Sequence, residues 1–422
     1  MKLLTTAVSR LCLTITMCII SIVPINAQNS CASDIVFEHL MQNSAYNLHR
    51  NILENKIETA KQNGVSQRNG TAFIPVVVHI LHNGEALGEG TNLSEENIIE
   101  GINRVNAIWN DESGQGANMN VRFCLASTDP DGNATNGITR TNASNVSGYN
   151  SNGVLLTYEE NSNEVELKNL SNWPHDQYYN IWVVHKFNAG WGGYAYFPAP
   201  VNYDIDGTLV VPNAFLNNHS LLAHELGHGF NLFHTFHGAN GGDCPSNDNC
   251  SSEGDRVCDT PPHRQNDCSA SGCNGSNFES TFNNYMSYCS GLSLFTQGQK
   301  ERVDATLANS SRSDLLNSSA CSSRCSTIPS ASFTHQSNGL TVAFSNQSEN
   351  TKNIVWYFGD GTTAVGFNEI SHTYANPGVY EVKIKVEDDC GAVDYNTQMV
   401  DASVLSETSF IDIQEMSLSP NP

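Results

Sequence analysis

Three histidines and one glutamate in a short segment have the spacing that a catalytic zinc site requires. His224, Glu225 and His228 form a His-Glu-x-x-His pattern, and His234 follows six residues later. On an α-helix, residues four positions apart lie on the same face, so His224 and His228 can bind one ion. Glu225 then lies beside the open coordination position, where it can take a proton from a water that the metal has made more acidic. The pattern indicates a zinc peptidase.

The third histidine can reach the same ion only if the chain reverses after the helix. A straight helix would carry His234 away from the metal, so the backbone must turn between Phe230 and Leu232. Asn231 occupies that position. A positive φ is the usual solution for such a turn, and asparagine tolerates it best after glycine. We therefore expect a positive φ at Asn231 and a third zinc ligand at His234.

The elements that must position these residues follow from the hydrophobic pattern. Residues 73–81 form a run rich in β-branched side chains, which predicts a buried strand. A helix should begin after Ser94, a good N-cap. Its buried face is predicted to consist of apolar residues at helical spacing, namely Ile98, Ile102, Val105 and Trp109. Together these patterns predict an α+β domain.

A second motif lies downstream of His234. The segment Asn284-Tyr-Met-Ser-Tyr288 resembles the Met-turn of the metzincins, a group of zinc peptidases. In that group the methionine forms an apolar floor below the zinc ligands, and many members place a tyrosine two residues later. The resemblance implies that Met286 is the floor and that the Tyr288 hydroxyl stabilises the oxyanion.

Residues 254–262 narrow the family further. They are similar to a Gly-Asp-x-Val-x-Asp-Thr-Pro stretch of the pappalysins, a metzincin family that includes the bacterial cytophagalysins. The resemblance covers about residues 72 to 310 and implies a twisted sheet with the zinc helix, followed by a loop-rich, disulfide-stapled lower part. Family members bind structural calcium near this stretch. The resemblance therefore makes three residues candidate Ca²⁺ ligands: Asp255, Asp259 and Thr260.

Composition and the segment after the Met-turn bear on the substrate. Some pappalysins cut before Arg or Lys by means of an acidic residue in that segment, but residues 288–292 contain no carboxylate. The preference at P1′, the residue after the scissile bond, thus stays open. The chain has 43 Asp and Glu against 20 Lys and Arg, a net charge of −23, which argues against a nucleic-acid partner. We expect protein or peptide substrates.

The N-terminus predicts export. Lys2 and Arg10 precede an apolar run over residues 11–23, and Ala27 provides a small residue for cleavage. This pattern predicts a secretory signal peptide over residues 1–27 and a secreted protein without a membrane span.

Cysteine usage fits an oxidising destination. Of 13 cysteines, two lie in the signal peptide and eleven remain. Ten of these are expected to form five bridges: Cys124, Cys244, Cys250, Cys258, Cys268, Cys273, Cys289, Cys321, Cys325 and Cys390. Cys31 is left over.

Cys31 lies in a predicted pro-segment, residues 28–71, which ends in an exposed stretch that a protease could cut near Arg68. The motif Cys31-Ala-Ser-Asp34 resembles the short cysteine motif with which some pappalysin proforms block the zinc. The resemblance implies that the Cys31 thiolate binds the metal and keeps the enzyme latent. The alternative is an unpaired or intermolecular thiol.

A separate β-domain is predicted after the catalytic domain of residues 72–325. Residues 356–361 and 372–380 closely resemble the two signatures of PKD domains, which are immunoglobulin-like β-sandwiches. We assign residues 326–403 to this domain, place Trp356 in its core, and expect it to act as a spacer or to bind protein or polysaccharide surfaces. Residues 404–422 form a linker. Its end, residues 417–422, resembles the start of a type IX secretion sorting domain, which implies a bacterium of the Bacteroidetes kind and a chain that continues past Pro422.

Two other functions are compatible with the sequence. A gluzincin would use His224 and His228 with a downstream carboxylate such as Glu253 as the third ligand. His234 at the metzincin spacing disfavours that reading. A surface adhesin would use the PKD domain for binding and the zinc domain as a scaffold, but a scaffold has no need of Glu225.

Overall fold

The computed structural model describes most of the chain. The predicted signal peptide, the C-terminal segment of residues 404–422, Arg68, Cys325 and Cys390 lie outside the described residues. None of the described helices has the length and apolar character needed to cross a membrane. The described residues are 31–64, 70–198, 205–239, 243–265, 267–268, 272–273, 282–321, 329–366, 368–388 and 393–403.

The predicted pro-segment contains two helices, α1 (Ser33–Met41) and α2 (Ser44–Gln62). The side chain of Asn43 caps α2 by accepting hydrogen bonds from two backbone amides of its first turn. The buried residues of α2 recur every three or four positions, so one face of the helix is docked on the protein: Tyr46, Arg50, Leu53, Ile57 and Ala60.

The next part of the chain is an α+β domain. Its main sheet has the strand order β2-β1-β4-β6-β5, and β3 pairs with β1. The strands are parallel except for β5, which lies antiparallel to β6 at the edge of the sheet. The elements are β1 (Ala72–His82), α3 (Glu95–Trp109), β2 (Val121–Leu125), β3 (Ile138–Asn142), α4 (Tyr149–Asn152), α5 (Glu164–Asn169), β4 (Tyr179–Val184), β5 (Gly193–Ala195), β6 (Thr208–Val210), α6 (Asn213–Leu216), α7 (His219–Gly229), α8 (Gln297–Asn309) and a 3₁₀ helix (Ser311–Asn317).

The core of this domain holds α7 in place. Strand β1 is buried along almost its whole length, and the predicted apolar face of α3 is buried as well, which confirms both predictions. Trp109 at the end of α3 donates its indole N–H to the carbonyl of Ala223 on α7. Its ring packs edge-on against three phenylalanines, Phe123, Phe230 and Phe295.

The segment between α7 and α8 is loop-rich. Among its described residues it contains no α-helix or β-strand. Three disulfides staple it, Cys244–Cys273, Cys250–Cys258 and Cys268–Cys289, and a fourth joins Cys124 to Cys321. Cys31 is buried and forms no disulfide. The predicted disulfide-stapled lower part is therefore present.

The C-terminal part is a β-sandwich of two antiparallel sheets, with strand orders β10-β9-β12-β13 and β11-β8-β7. Trp356 is fully buried and its ring contacts those of Phe333 and Phe344, as predicted for a core residue. The strands are β7 (Phe333–Asn338), β8 (Thr341–Asn346), β9 (Asn353–Tyr357), β10 (Thr363–Val365), β11 (Glu369–Thr373), β12 (Val379–Glu387) and β13 (Val393–Asp401).

Candidate metal centre

Helix α7 carries the first two histidines. Asn218 caps it by accepting a hydrogen bond from the amide of Leu221. The helix is buried from Leu221 to its end, so His224, Glu225 and His228 lie inside the protein. Buried polar side chains need hydrogen-bond partners or a bound ion, and these three side chains lie close together above Met286.

The chain reverses at Asn231, whose φ is 75°. The amide of Leu232 donates back to the carbonyl of Gly227 at 2.8 Å, which closes the helix as a Schellman-type turn. This turn brings His234 back beside α7. The positive φ at Asn231 confirms the prediction from sequence, whereas the role of His234 as a zinc ligand stays a prediction.

We expect Asn231→Ala to be less stable than Asn231→Gly. Both variants lose the side-chain amide, but only alanine bears the cost of the left-handed region, about 1–2 kcal/mol. In a domain of this size the difference corresponds to a melting temperature about 2–8 °C lower for the alanine variant. Thermal unfolding of the two variants measures it, and equal melting temperatures would show that the turn imposes no strain.

The Nε2 atoms of the three histidines converge on one point. They lie 3.1 Å apart for His224 and His234, 3.1 Å for His224 and His228, and 3.2 Å for His228 and His234. Nitrogens bound tetrahedrally to one Zn²⁺ at its usual bond length are about 3.3 Å apart. The three rings therefore have the spacing of zinc ligands.

The other ring nitrogen of each histidine fixes which atom carries the proton. Each Nδ1 faces an oxygen: the carbonyl of Tyr285 at 2.6 Å for His224, the carbonyl of Leu232 at 2.7 Å for His228, and the carboxylate of Asp34 at 2.7 Å for His234. A carbonyl can only accept, so Nδ1 must donate. Three Nε2 lone pairs then point at each other, an arrangement that a bound cation stabilises. The donor set fits Zn²⁺.

Burial determines the charge states around this cluster. It is the main reason that the pKa of His224 falls to about 3 and that of His228 falls well below its ordinary value. Burial also raises the pKa of Glu225 to about 8. Neutral imidazoles are the form that binds a metal.

Glu225 lies at the cluster with only one oxygen engaged. Its Oε2 accepts hydrogen bonds from the thiol of Cys31 at 3.2 Å and the hydroxyl of Ser33 at 3.3 Å. Its buried Oε1 has no hydrogen-bond partner among the described residues. An unpaired buried carboxylate oxygen is costly and points to a missing water or ion.

Met286 lies directly below α7. A Cβ built on Gly227 would be only 2.4 Å from the Met286 sulfur, so the helix needs a glycine there to rest on the methionine. Thr235, next to the third histidine, donates its amide to the Met286 carbonyl at 3.1 Å. The predicted floor position is thus occupied by Met286, which is fully buried.

Tyr288 lies beside the histidines, with its ring centroid 4.9 Å from that of His234 and 6.0 Å from that of His224. Its hydroxyl contacts the backbone of Cys31 and donates to that carbonyl at 3.3 Å. Burial raises the pKa of Tyr288 far above its usual value, so the hydroxyl keeps its proton and can act as a donor.

Residues 31–34 lie across the cluster. The Cys31 sulfur and the three ligand nitrogens all lie within 4.8 Å of one another. Ala32 donates its amide to the carbonyl of Gly193 at 3.0 Å, so this segment pairs with the edge strand β5. Cys31 is therefore the fourth member of a group of side chains that could hold one metal ion.

Comparisons with known proteins agree with this geometry. Residues 159–308 match the family model described as pregnancy-associated plasma protein-A, and residues 327–404 match that of the PKD domain. Residues 159–308 therefore carry the pappalysin domain match. The pappalysin domain is followed by the PKD domain, as the sequence motifs predicted.

Individual proteins similar to this chain include metalloproteases. A promirolysin variant of Tannerella forsythia has a structure similar to this chain, with a TM-score of 0.53 and 26% identity over 68% of this chain and 97% of that chain. An extracellular metalloprotease of Pyricularia oryzae is 30% identical over 31% of this chain and 48% of its own length, and one from Coccidioides posadasii is 35% identical over 27% and 44%. The chain spans about half the length of the curated relatives that it matches.

The three candidate calcium ligands are divided between two places in the pappalysin domain. Asp255 is buried, and its carboxylate accepts hydrogen bonds from Thr260 at 2.6 Å and from the amide of Val257 at 3.1 Å. Asp259 instead accepts bonds from the Thr296 hydroxyl and the Gly298 amide at the start of α8. The structure therefore joins Asp255 and Thr260 by a hydrogen bond, whereas the carboxylate of Asp259 binds the start of α8.

Glu253 does not belong to the metal cluster found among the described residues. Its carboxylate accepts hydrogen bonds from Ser246 and Asn249 in the loop. The geometry accordingly favours His234 over Glu253 as the third ligand.

Sequence reasoning missed several residues of the pappalysin site. Asp34 binds the Nδ1 of His234 and approaches that of His237 at 3.4 Å. Burial alone would raise its pKa, but these two rings lower the pKa well below its usual range. Asp34 stands in the Cys31 motif, so its position three residues after the cysteine was the available signal. Ser33 stands in the same motif, whereas no chemical signal distinguished Gly193.

Proposed function

We propose that this chain is a secreted zinc endopeptidase that its own pro-segment keeps latent. The observation that supports it best is the convergence of three Nε2 lone pairs beside the half-paired carboxylate of Glu225. His224, His228 and His234 would hold the zinc. Bound there, Zn²⁺ supplies a Lewis acid that makes a water nucleophilic and polarises the peptide carbonyl.

The chain's own residues would handle the protons. Glu225 takes the proton of the attacking water and then gives it to the nitrogen of the leaving amine. The Tyr288 hydroxyl donates a hydrogen bond to the oxygen of the tetrahedral intermediate. Met286 supports α7 from below and takes no part in the chemistry.

Latency would arise because residues 31–34 contact each group that the reaction needs and so block it. The Cys31 sulfur lies within 4.8 Å of the three ligand nitrogens, Ser33 and Cys31 bind Glu225, and the Cys31 backbone holds the Tyr288 hydroxyl. The segment also covers β5, the edge strand to which an extended substrate would pair. Cleavage within residues 65–69 would release it.

The pocket beside the metal cluster favours a small, uncharged P1′ residue. This cavity of about 30 Å³ is lined by described residues that include no carboxylate: Asn218, Ser220, Leu221, His224, Ser287, Tyr288, Cys289 and Leu292. Arg or Lys would bring a charge into it without a counter-charge. We propose that the processed enzyme cuts before small neutral residues.

A new carboxylate in this pocket should change the specificity. We expect Leu292→Asp to raise the preference for Arg over Ala at P1′ by at least about tenfold, which is about 1.4 kcal/mol. Leu292→Asn is the matched control, because it has the same shape without the charge. The ratio of kcat/KM for paired peptides measures the effect. If both variants shift the ratio equally, charge in this pocket does not select the substrate.

A calcium site at Asp255 and Thr260 remains a proposal. Burial raises the pKa of Asp255 to about 7, so ionising it is costly, and a bound cation would offset that cost. We expect Ca²⁺ to raise the melting temperature by about 2–4 °C, and Mg²⁺ to raise it less. Asp255→Asn should abolish the increase. A melting temperature that does not change on addition of Ca²⁺ would show that there is no calcium site.

Export rests on the predicted signal peptide and on relatives that are named extracellular. Secretion by a type IX system in a Bacteroidetes-like bacterium rests on residues 417–422 alone. We propose that the PKD domain, which is a compact β-sandwich, serves as a spacer or binds protein or polysaccharide surfaces. Whether it binds either can be tested separately from proteolysis.

The experiment for the proposed function is cleavage of a diverse peptide library by the processed chain. Activity should disappear with a zinc chelator and return with Zn²⁺ but not with Mg²⁺. The cleaved bonds report the P1′ preference in the same data. A folded, zinc-loaded chain that cuts no peptide would favour the adhesin alternative, in which the zinc domain is a scaffold.

A further inference from the structure

The pro-segment has a second anchor on α2, far along the chain from Cys31. The carboxylate of Glu54 is met by two arginines of the pappalysin domain: Arg302 Nη2 lies 2.9 and 2.8 Å from its two oxygens, and Arg256 Nη1 lies 3.0 Å away. Arg50 of α2 and the side-chain amide of Asn231 also contact the Glu54 carboxylate: their Nη2 and Nδ2 atoms lie 2.7 and 3.2 Å from its Oε1. Burial would raise the pKa of Glu54, but the three arginines lower it to about 2, so this buried group is a carboxylate.

The socket is built by the catalytic domain itself. Arg302 is held by its Nε, which donates to the Asn231 carbonyl at 2.7 Å. Both guanidinium groups lie over the ring of Phe233, at 5.0 Å for Arg302 and 5.3 Å for Arg256. The nearby carboxylate of Asp255 is engaged with Val257 and Thr260. Within the pappalysin domain, Arg302 is thus held by a hydrogen bond and by the Phe233 ring, and Arg256 is held by the same ring.

Removal of the pro-segment would take away Glu54 and Arg50 together and leave two guanidinium groups side by side. Such groups bind carboxylates by paired N–H donors, and leaving a desolvated charge unpaired is unfavourable. A cavity of about 250 Å³ already adjoins the socket, between α2 and the loop around Ser252. Although the chain has a net charge of −23, the two arginines would attract an anion locally.

We propose that Arg256, Arg302 and Asn231 form a carboxylate-binding exosite, which Glu54 fills in the latent chain and an acidic peptide side chain fills after processing. The inference rests on the proposed removal of the pro-segment. Asn231 and Phe233 belong to the turn between His228 and His234, so the exosite adjoins the segment that presents the third histidine. The acidic residue would come either from a substrate or from the excised pro-segment.

Binding tests the exosite without any need for catalysis. The full chain carrying Glu225→Gln is cut within residues 65–69 by an added protease and freed of its pro-segment. Labelled peptides of residues 44–62, with Glu54 or with Glu54→Gln, are then titrated by fluorescence anisotropy. We expect the glutamine peptide to bind at least tenfold more weakly. Because the change is in the ligand, the folding of the protein is not affected.

Variants of Arg256 assign that difference to the socket. Arg256 is 26% exposed, so its replacement disturbs the fold less than that of the buried Arg302. In Arg256→Gln the gap between the two peptides should shrink severalfold, and in Arg256→Lys it should be intermediate. Equal binding of the two peptides, or a gap that is the same in Arg256→Gln, would overturn the proposal. Neither result depends on whether the chain is a peptidase.

Two further measurements on the active processed chain show whether the exosite binds the excised pro-segment or an acidic residue of the substrate. Inhibition by the Glu54 peptide but not by its glutamine counterpart supports the excised pro-segment as the ligand. Faster cleavage of peptides with Glu than with Gln at one position upstream of the scissile bond, lost in Arg256→Gln, supports the substrate. Absence of both effects would overturn the exosite as a functional site.

Discussion

The variant Glu225→Gln should bind zinc normally and lose nearly all peptidase activity. Glutamine keeps the shape of the side chain but cannot accept the proton of the attacking water or return it to the leaving amine. Removal of a general acid-base group typically costs about 10²–10⁴-fold, and we expect kcat/KM to fall by about 10³-fold. The measurement is peptide cleavage by the processed chain at matched zinc content.

A surface carboxylate provides the control for this experiment. Glu253→Gln removes a negative charge from the neighbouring loop, where the carboxylate of Glu253 accepts hydrogen bonds from Ser246 and Asn249. It should keep full activity and full zinc content. Substantial activity in Glu225→Gln would show that another group handles the proton. Loss of zinc from Glu253→Gln would revive the gluzincin alternative.

The variant Cys31→Ala should make the unprocessed chain active. Its thiol is the one side chain of residues 31–34 that reaches all three histidines, so its loss opens the metal to water and substrate. The remaining bonds of this segment, from Ala32 to Gly193 and from Ser33 to Glu225, still hold it across β5. We therefore expect a rise of at least about tenfold, or about 1.4 kcal/mol, that remains below the activity of the processed chain.

Intact mass must show that the Cys31→Ala chain is uncut when its activity is measured. The double variant Cys31→Ala, Glu225→Gln identifies any contaminating peptidase. If the uncut variant is as inactive as the parent chain, the blockage of β5 and Glu225 explains latency and the thiol is dispensable. Cys31 would then be an unpaired buried thiol, which was the alternative from sequence.

The local parts of the site were predictable because local stereochemistry determines them. His224 and His228 are four residues apart, so they share a face only if the segment is a helix. The buried residues of α3 follow the same helical period. Asn231 could be assigned a positive φ because few other residues accept one. Trp356 was likewise assigned to a core from its motif alone.

The remaining parts depend on contacts between distant segments, which spacing does not encode. Asp34 meets His234 across 200 positions, and Glu54 meets Arg302 across 248. Nothing near Glu54 distinguishes it from other acidic residues of a solvated helix. The pairing of the disulfides is underdetermined for the same reason, since ten cysteines allow many connectivities.

Asp259 has a structural role that the motif does not predict. The resemblance placed it with Asp255 and Thr260 as a calcium ligand. In the structure its two oxygens accept bonds from Thr296 and Gly298, so it stabilises the positive end of α8. A carboxylate in any loop can bind the N-terminus of a nearby helix. Which helix is near becomes known only from the fold.

The most direct test of the account is X-ray absorption at the zinc edge on the purified, unprocessed chain. We predict one zinc per chain with three nitrogen neighbours at about 2.0 Å and one sulfur neighbour at about 2.3 Å. The sulfur neighbour should vanish in Cys31→Ala and after removal of the pro-segment, while the three nitrogens stay. A chain without zinc, or a spectrum that is the same with and without Cys31, would contradict the metal centre and the latency that we derive from it.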